Sequence, residues 1–294
     1  MWTIDTDGVL RISGTGAMDD YTAYGYSSAV LADYFTYRSS IKSIVVEEGI
    51  THIGEYAMQY LSTATSVSIP STVTSIGKGA FWTCSKITTV TVPETVETLG
   101  TGVFQECYAL TSASLPSHLT EIPGGTFYGC RALTSVEIPS GVTSIGPQAF
   151  ASTALTSVTL PSGLQAIKGS AFVATNLTEV VSPASVTSIG MSAFSSCDSL
   201  TAVYFYGDLP ESGGSVFTTN GMTIYYLPGT AGWTTANVTG IFIDSIYTYT
   251  LKEWGASSGT CGTNVNWTLD SKGVLTISGS GAMTDFSRSE RAHV

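Results

Sequence analysis

The sequence predicts a β-rich solenoid of stacked repeats, closed at its ends by β-hairpin and aromatic segments. Three observations carry this expectation. Prolines recur at Pro70, Pro93, Pro116, Pro139, Pro161 and Pro183, in steps of 22 or 23 residues. Each interval holds a Phe at a fixed place: Phe81, Phe104, Phe127, Phe150, Phe172 and Phe194. Ahead of the prolines lie short apolar alternations such as Val67-Ser68-Ile69 and Val90-Thr91-Val92. One such unit cannot bury its own apolar face, whereas stacked units bury equivalent side chains against each other.

Each part of the repeat has its own reason. The stretch L-T-x-V-x-I alternates with period two, so it reads as a strand pairing in parallel with its equivalents one coil away. Proline closes the strand because it cannot donate to the ladder. A second apolar pair follows (Val73/Ile76, Val96/Leu99, Leu119/Ile122, Val142/Ile145, Leu164/Ile167, Val186/Ile189). The glycine after it is read as a tight turn with positive φ. The A-F step is read as a short helical turn that packs Phe inward.

Cys84, Cys107, Cys130 and Cys197 all lie three residues after the repeat Phe, and Thr153 and Thr175 replace them in the 22-residue copies. A position that accepts Cys or Thr is small, buried and weakly polar. A column of structural thiols is therefore expected. Stacked neighbours come close enough for disulfides, but Thr at the same place argues against an obligatory bridge. Metal binding is not expected, because no His or second Cys accompanies each thiol.

The whole repeat, I-P-x-x-V-x-x-I-G-x-x-A-F-x-x-C-x-x-L-T-x-V-x-I, runs through segments such as "IPSTVTSIGKGAFWTCSKITTVTVP" and "IPSGVTSIGPQAFASTALTSVTLP". Over about residues 41–206 it resembles the BspA-like leucine-rich repeats of bacterial surface proteins. The resemblance implies a right-handed leucine-rich-repeat-like solenoid with a parallel sheet. It also implies secretion or cell-surface display and adhesive or protein-binding roles, and it brings no catalytic residue.

A second, longer repeat flanks the solenoid. Trp2–Tyr21 and Trp267–Phe286 align at an offset of 265 with 13 of 20 positions identical. Each copy reads as two strands around a turn, at Thr6-Asp7-Gly8 and Ser271-Lys272-Gly273. The expected organisation is an N-terminal hairpin and aromatic cap over 1–40 and repeats over 41–210. A degenerate last repeat with C-terminal cap follows over 211–256, and a truncated second hairpin module over 257–294. The cap residues are Tyr21, Tyr24, Tyr26, Tyr34, Phe35 and Tyr37. At the far end they are Phe217, the stretch Ile224–Pro228 as a last strand, Trp233, and short strands within 241–251. Asp5-Thr6-Asp7-Gly8 lacks the further ligands of a calcium loop and reads as a plain turn.

Composition narrows the function. The 294 residues carry a net charge of −11, with only 11% charged and 43% hydrophobic residues. No basic footprint exists for nucleic acid, and no apolar run reaches the length of a membrane span. No cofactor is implied. Only His52, His118 and His293 are present, at positions expected to be exposed. No nucleophile elbow, phosphate loop or zinc spacing appears, so catalysis is not expected.

The candidate binding surface is the outer face of the strands: Thr89, Thr91, Ser112, Ser114, Ser135, Glu137, Ser157, Thr159, Glu179 and Tyr204. Stacking turns these into two columns of small hydroxyls that become mixed toward Glu179, Val181 and Tyr204. Tyr204 is the expected hot spot, since interface energy concentrates on aromatics. The expected role is adhesion to a protein or glycan ligand on another cell surface or extracellular matrix. Carbohydrate or cell-wall binding and a structural spacer are the alternatives. The oligomeric state is left open, and the expected location is extracellular or cell-surface, with the leader removed.

Overall fold

The computed structural model describes residues 1–22, 37–240, 242–254, 258–262, 265–269 and 275–280. The described residues form a β-solenoid of about nine turns with parallel ladders and almost no helix. The expected residues Tyr24, Tyr26, Tyr34, Phe35 and Ile241, and the turn Ser271-Lys272-Gly273, lie outside the described residues.

The repeat phenylalanines form one interior column. Phe81, Phe104, Phe127, Phe150, Phe172, Phe194 and Phe217 are buried and stack face to face. Centroids lie 5.5–5.8 Å apart across 23-residue coils but 5.2 Å apart across the two 22-residue coils, Phe150–Phe172 and Phe172–Phe194. One residue fewer in the turn therefore draws the coils together. Each buried Phe contributes about 1.5–3 kcal/mol of apolar burial.

Two parallel ladders flank this core. The front ladder starts with Trp2–Ile4, Val9–Ile12, Ser43–Val46 and Ser66–Ser68, continues in the pair Thr89–Thr91 and Ser112–Ser114, and ends with Glu179–Ser182, Ala202–Phe205, Met222–Tyr226 and Tyr249–Glu253. The back ladder runs from Gly16–Ala17 through Ile50–Ile53, Ser75–Ile76 and Thr98–Leu99. It resumes with Glu121–Ile122 and ends at Glu211–Ser212. The break has a local cause. In other coils the residue after the second apolar position donates its N–H to the preceding coil, as Gly100 does to Ile76 O and Gly146 to Ile122 O. At that place stands Pro123, which has no N–H to give to Leu99.

The repeat glycine needs a correction. Gly54, Gly77, Gly100, Gly146, Gly190 and Gly213 are absent from the positive-φ positions. They are required by contact instead. A Cβ on Gly77 would lie 2.5 Å from the Glu55 nitrogen, and one on Gly146 would strike the Gly124 backbone. Positive φ falls elsewhere, two residues before and two after each Phe from Phe81 to Phe194. Tyr56 and Tyr60 flank Met58, Gln148 and Ser152 flank Phe150, and Ser170 and Ala174 flank Phe172.

This alternation builds a third ladder around the Phe turn. N–H groups at the Phe and two residues to either side all donate forward, as Gly79, Phe81 and Thr83 do to Thr101, Val103 and Gln105. Carbonyls between them all face backward. The expected helical turn is thus a run of tight turns bonded between coils, and its hydrogen bonds offset the left-handed strain.

Both ends build on this stack. Val9–Ile12 pairs antiparallel with Trp2–Ile4 and parallel with Ser43–Val46, so the first hairpin feeds directly into the front ladder. At the other end Phe242 tilts by 48° over Phe217. Trp233 is buried against Phe205 and Tyr226 and donates Nε1–H to Gly207 O. Met222–Tyr226 is not the last strand, because Tyr249–Glu253 pairs beyond it. A short helix, Thr235–Val238, capped by the Thr234 hydroxyl, lies between them.

Candidate interaction face

The outward positions of the front strands are placed as expected. Thr89, Thr91, Ser112, Ser114, Ser135, Glu137, Ser157, Thr159 and Glu179 are all exposed. Their hydroxyls differ from those of the Thr one position earlier in the repeat. Thr65, Thr111 and Thr201 spend their hydroxyls on carbonyls of the preceding coil. Among the described residues the outward hydroxyls carry no such bond.

One expectation fails on this face. Ser135, Glu137, Ser157 and Thr159 lie outside any strand, and the front ladder is open from Ser112–Ser114 to Glu179–Ser182. The back ladder stays closed beneath this gap. Only one side of these coils holds β spacing, so the two hydroxyl columns do not form a single flat array.

Tyr204 does not stand alone. Parallel register places Val181 beside Tyr204, Tyr204 beside Tyr225, and Tyr225 beside Lys252. The Tyr204 and Tyr225 rings stack at 4.7 Å. Trp254 meets Tyr204 edge-on at 5.2 Å and stacks on Tyr206 at 5.5 Å. Lys252 Nζ sits 5.7 Å from the Tyr225 centroid, a cation–π distance. Burial raises the pKa of the Tyr204 hydroxyl, and the Glu179 carboxylate raises it further. Tyr206, Tyr225, Lys252 and Trp254 escaped the sequence reading. Aligning Val203-Tyr204 with Ile224-Tyr225 and Leu251-Lys252 would have found two of them.

Tyr225 has Tyr204 on one face and Lys252 on the other. Trp254 is occupied by Tyr206 and the Tyr204 edge. The cluster presents amphipathic rings, their hydroxyls and the Lys252 ammonium on one face.

His52 is not exposed as expected. Its Nδ1 lies 2.7 Å from Ser75 Oγ and its Nε2 3.3 Å from the Asp20 carboxylate. Asp20 is held below the ordinary carboxylate range, first by the Glu55 N–H and then by His52. The Asp20 carboxylate can only accept, so His52 Nε2 donates to it, and Nδ1 pairs with the Ser75 hydroxyl. This is the order of groups in a nucleophilic triad. Yet Ser75 lies within the back ladder, where the neighbouring Thr74 and Gly77 N–H groups already donate to Thr51 and Ile53. The trio fastens three successive segments of chain. His118 is exposed, with Nε2 3.1 Å from Val96 O.

The four repeat thiols are free and buried. Cys107, Cys130 and Cys197 each reach the Phe carbonyl of the preceding coil, while Thr153 and Thr175 reach that of their own. Burial pushes Cys84 and Cys130 up to about 12. Asp5 behaves as a turn residue: its carboxylate accepts the Asp7 and Val9 N–H groups.

No helix among the described residues is long and apolar enough to cross a membrane. No curated protein matches the chain. Among the similar crystal structures are three bacterial leucine-rich repeat proteins. A leucine-rich repeat protein from Bacteroides ovatus shares 19% identity over 86% of this chain and 75% of its own, at a TM-score of 0.56. One from Eubacterium ventriosum shares 22% over 86% and 82%, at 0.43. A leucine rich cell surface protein from Faecalibacterium prausnitzii shares 18% over 87% and 93%, at 0.48. The pattern of the BspA type leucine rich repeat region matches residues 29–152 and 120–231, in six copies. With the column of stacked phenylalanines and this match over most of its length, the chain belongs to the BspA-type leucine-rich repeat family.

Proposed function

We propose that the chain is a non-catalytic recognition module of a secreted or surface-displayed protein, and that it adheres to a protein on another cell or in the extracellular matrix. The observation that carries this reading is the aromatic group Tyr204, Tyr225, Tyr206 and Trp254 on the outer front face. It sits beside exposed Val181 and Glu179 at the end of the hydroxyl columns. Amphipathic rings surrounded by small polar groups resemble an interface hot spot inside a polar rim. A location outside the cell accords with the family and with a low share of charged residues.

The test is binding of the full chain to immobilised extracellular-matrix proteins and to a glycan array. Tyr204→Ala and Trp254→Ala should each weaken protein binding at least about tenfold, with unfolding midpoints little changed. Ser112→Ala, on the same face but distant from the rings, should not. Binding that survives both aromatic changes overturns the site. A positive glycan array moves the reading to carbohydrate, and silence in both assays moves it to a spacer.

A further inference from the structure

The first hairpin shows what its free side receives. Val9–Ile12 carries Trp2–Ile4 on one side and Ser43–Val46 on the other, with Leu10 opposite Ile44 and Ile12 opposite Val46. Gly8 O and Ile12 O accept from Lys42 and Glu47 across that second side. The second hairpin repeats the antiparallel half in the same register. Trp267 faces Ile277 and Leu269 faces Leu275, each 265 residues beyond its counterpart in the pairs Trp2–Ile12 and Ile4–Leu10.

Ser258–Gly262 covers the far side of Val265–Leu269, so among the described residues Leu275–Gly279 is the edge of this sheet equivalent to the side of Val9–Ile12 that takes Ser43–Val46. Ile277 is 46% exposed there, whereas its counterpart Ile12 packs against the core. An open edge with an exposed apolar side chain is a template for another strand.

We propose that Leu275–Gly279 is a templating edge that starts a second stack of coils. Its occupant is a parallel strand of the Ser43–Val46 kind, from a repeat segment following in the same polypeptide. The protein's own copy of that strand is already held between Val9–Ile12 and Ser66–Ser68. The connection is intramolecular because the residues after Gly279 repeat the first crossover. Gly281-Ala282-Met283 matches Gly16-Ala17-Met18, where Gly16–Ala17 enters the back ladder beside Ile50–Ile53. The same course would lead the chain to the back of a second solenoid. By equivalence with Gly8 and Ile12, the N–H groups of Leu275 and Ile277 face the incoming strand.

The test is a tandem chain in which residues 1–286 are followed by a second copy of residues 22–254. Amide exchange at Leu275 and Ile277 should slow at least about 100-fold relative to the present chain, as an edge becomes an interior strand. Ile277→Pro in the tandem chain removes one donor on that side alone. It should return Leu275 to fast exchange and leave the first stack protected. Leu275 and Ile277 amides that exchange as fast as in the single chain overturn the proposal, whether the appended repeats fold elsewhere or stay unfolded.

Discussion

The Cys107 thiol donates to the carbonyl of Phe81, in the preceding coil and 3.3 Å away. The same contact recurs from Cys130 to Phe104. These thiols therefore satisfy backbone groups and fill space. In the unfolded chain they ionise near their ordinary value of 9, while folded Cys84 and Cys130 hold their protons to about 12. Above pH 9 the unfolded chain binds fewer protons, so stability falls as pH rises. The slope is about 1.4 kcal/mol per pH unit for each such thiol. Urea unfolding at pH 8, 9.5 and 10.5 checks this. Iodoacetamide at pH 8, with modified peptides mapped, should leave Cys84, Cys107, Cys130 and Cys197 unmodified until the chain is unfolded.

Phe127 sits between Phe104 and Phe150 in the interior column. Phe127→Ala removes both stacking partners' contacts and leaves a cavity that coils on either side cannot fill. The expected loss is about 3–5 kcal/mol, read from chemical denaturation. Tyr37→Ala, at a 54% exposed ring, should change stability by under about 0.5 kcal/mol.

Gly146 and Gly163 separate the two uses of glycine in the repeat. A Cβ on Gly146 would strike the Gly124 backbone, while one on Gly163 meets nothing within 4 Å and requires no positive φ. Gly146→Ala should cost more than about 2 kcal/mol. Gly163→Ala should add about 0.4–1 kcal/mol by restricting the unfolded chain. Thermal melts of the pair decide it.

Ser182 occupies an inward position that earlier coils fill with Val92, Leu115, Ile138 or Leu160. Its neighbour in the next coil is Phe205, a larger side chain, and a small residue leaves room for it. The Ser182 hydroxyl is buried and lacks a hydrogen-bond partner. Ser182→Ala should therefore be neutral or stabilising by up to about 1 kcal/mol. A clear loss of stability in urea unfolding would refute this account of the site.

Ala174 has a φ of 55°, where a side chain is strained. Ala174→Gly should relieve this by about 1 kcal/mol, against the usual cost of glycine in an ordered segment. The comparison variant is Ala149→Gly, at a buried neighbour of the Phe column, which should be destabilising.

Much of the architecture was legible because a repeat displays each constraint several times. The Phe column, the buried Cys or Thr position, the parallel strands and both hairpins all follow from periodicity. The glycine was misread because a tight turn and a close approach select the same residue, and only coil spacing separates them. The open front ladder at Ser135–Ile138 was hidden because its alternation is as regular as at Thr89–Thr91. Pro123 was a visible signal, since it stands where other coils keep a donor. At the candidate face, Tyr204 was legible from alternation. Its partner Tyr225 follows from aligning Val203-Tyr204 with Ile224-Tyr225, whereas Trp254 lies beyond the regular period and is brought in by the packing of the last strands.

The turn ladder gives the molecule a polarity. Whatever closes the first coil must offer donors, as the Tyr21 N–H does to Glu55 O. Whatever closes the last must offer acceptors, as Phe242 O does to Phe217 N–H. The two lids are therefore not interchangeable. A rearranged chain that swapped them would set donor against donor and acceptor against acceptor.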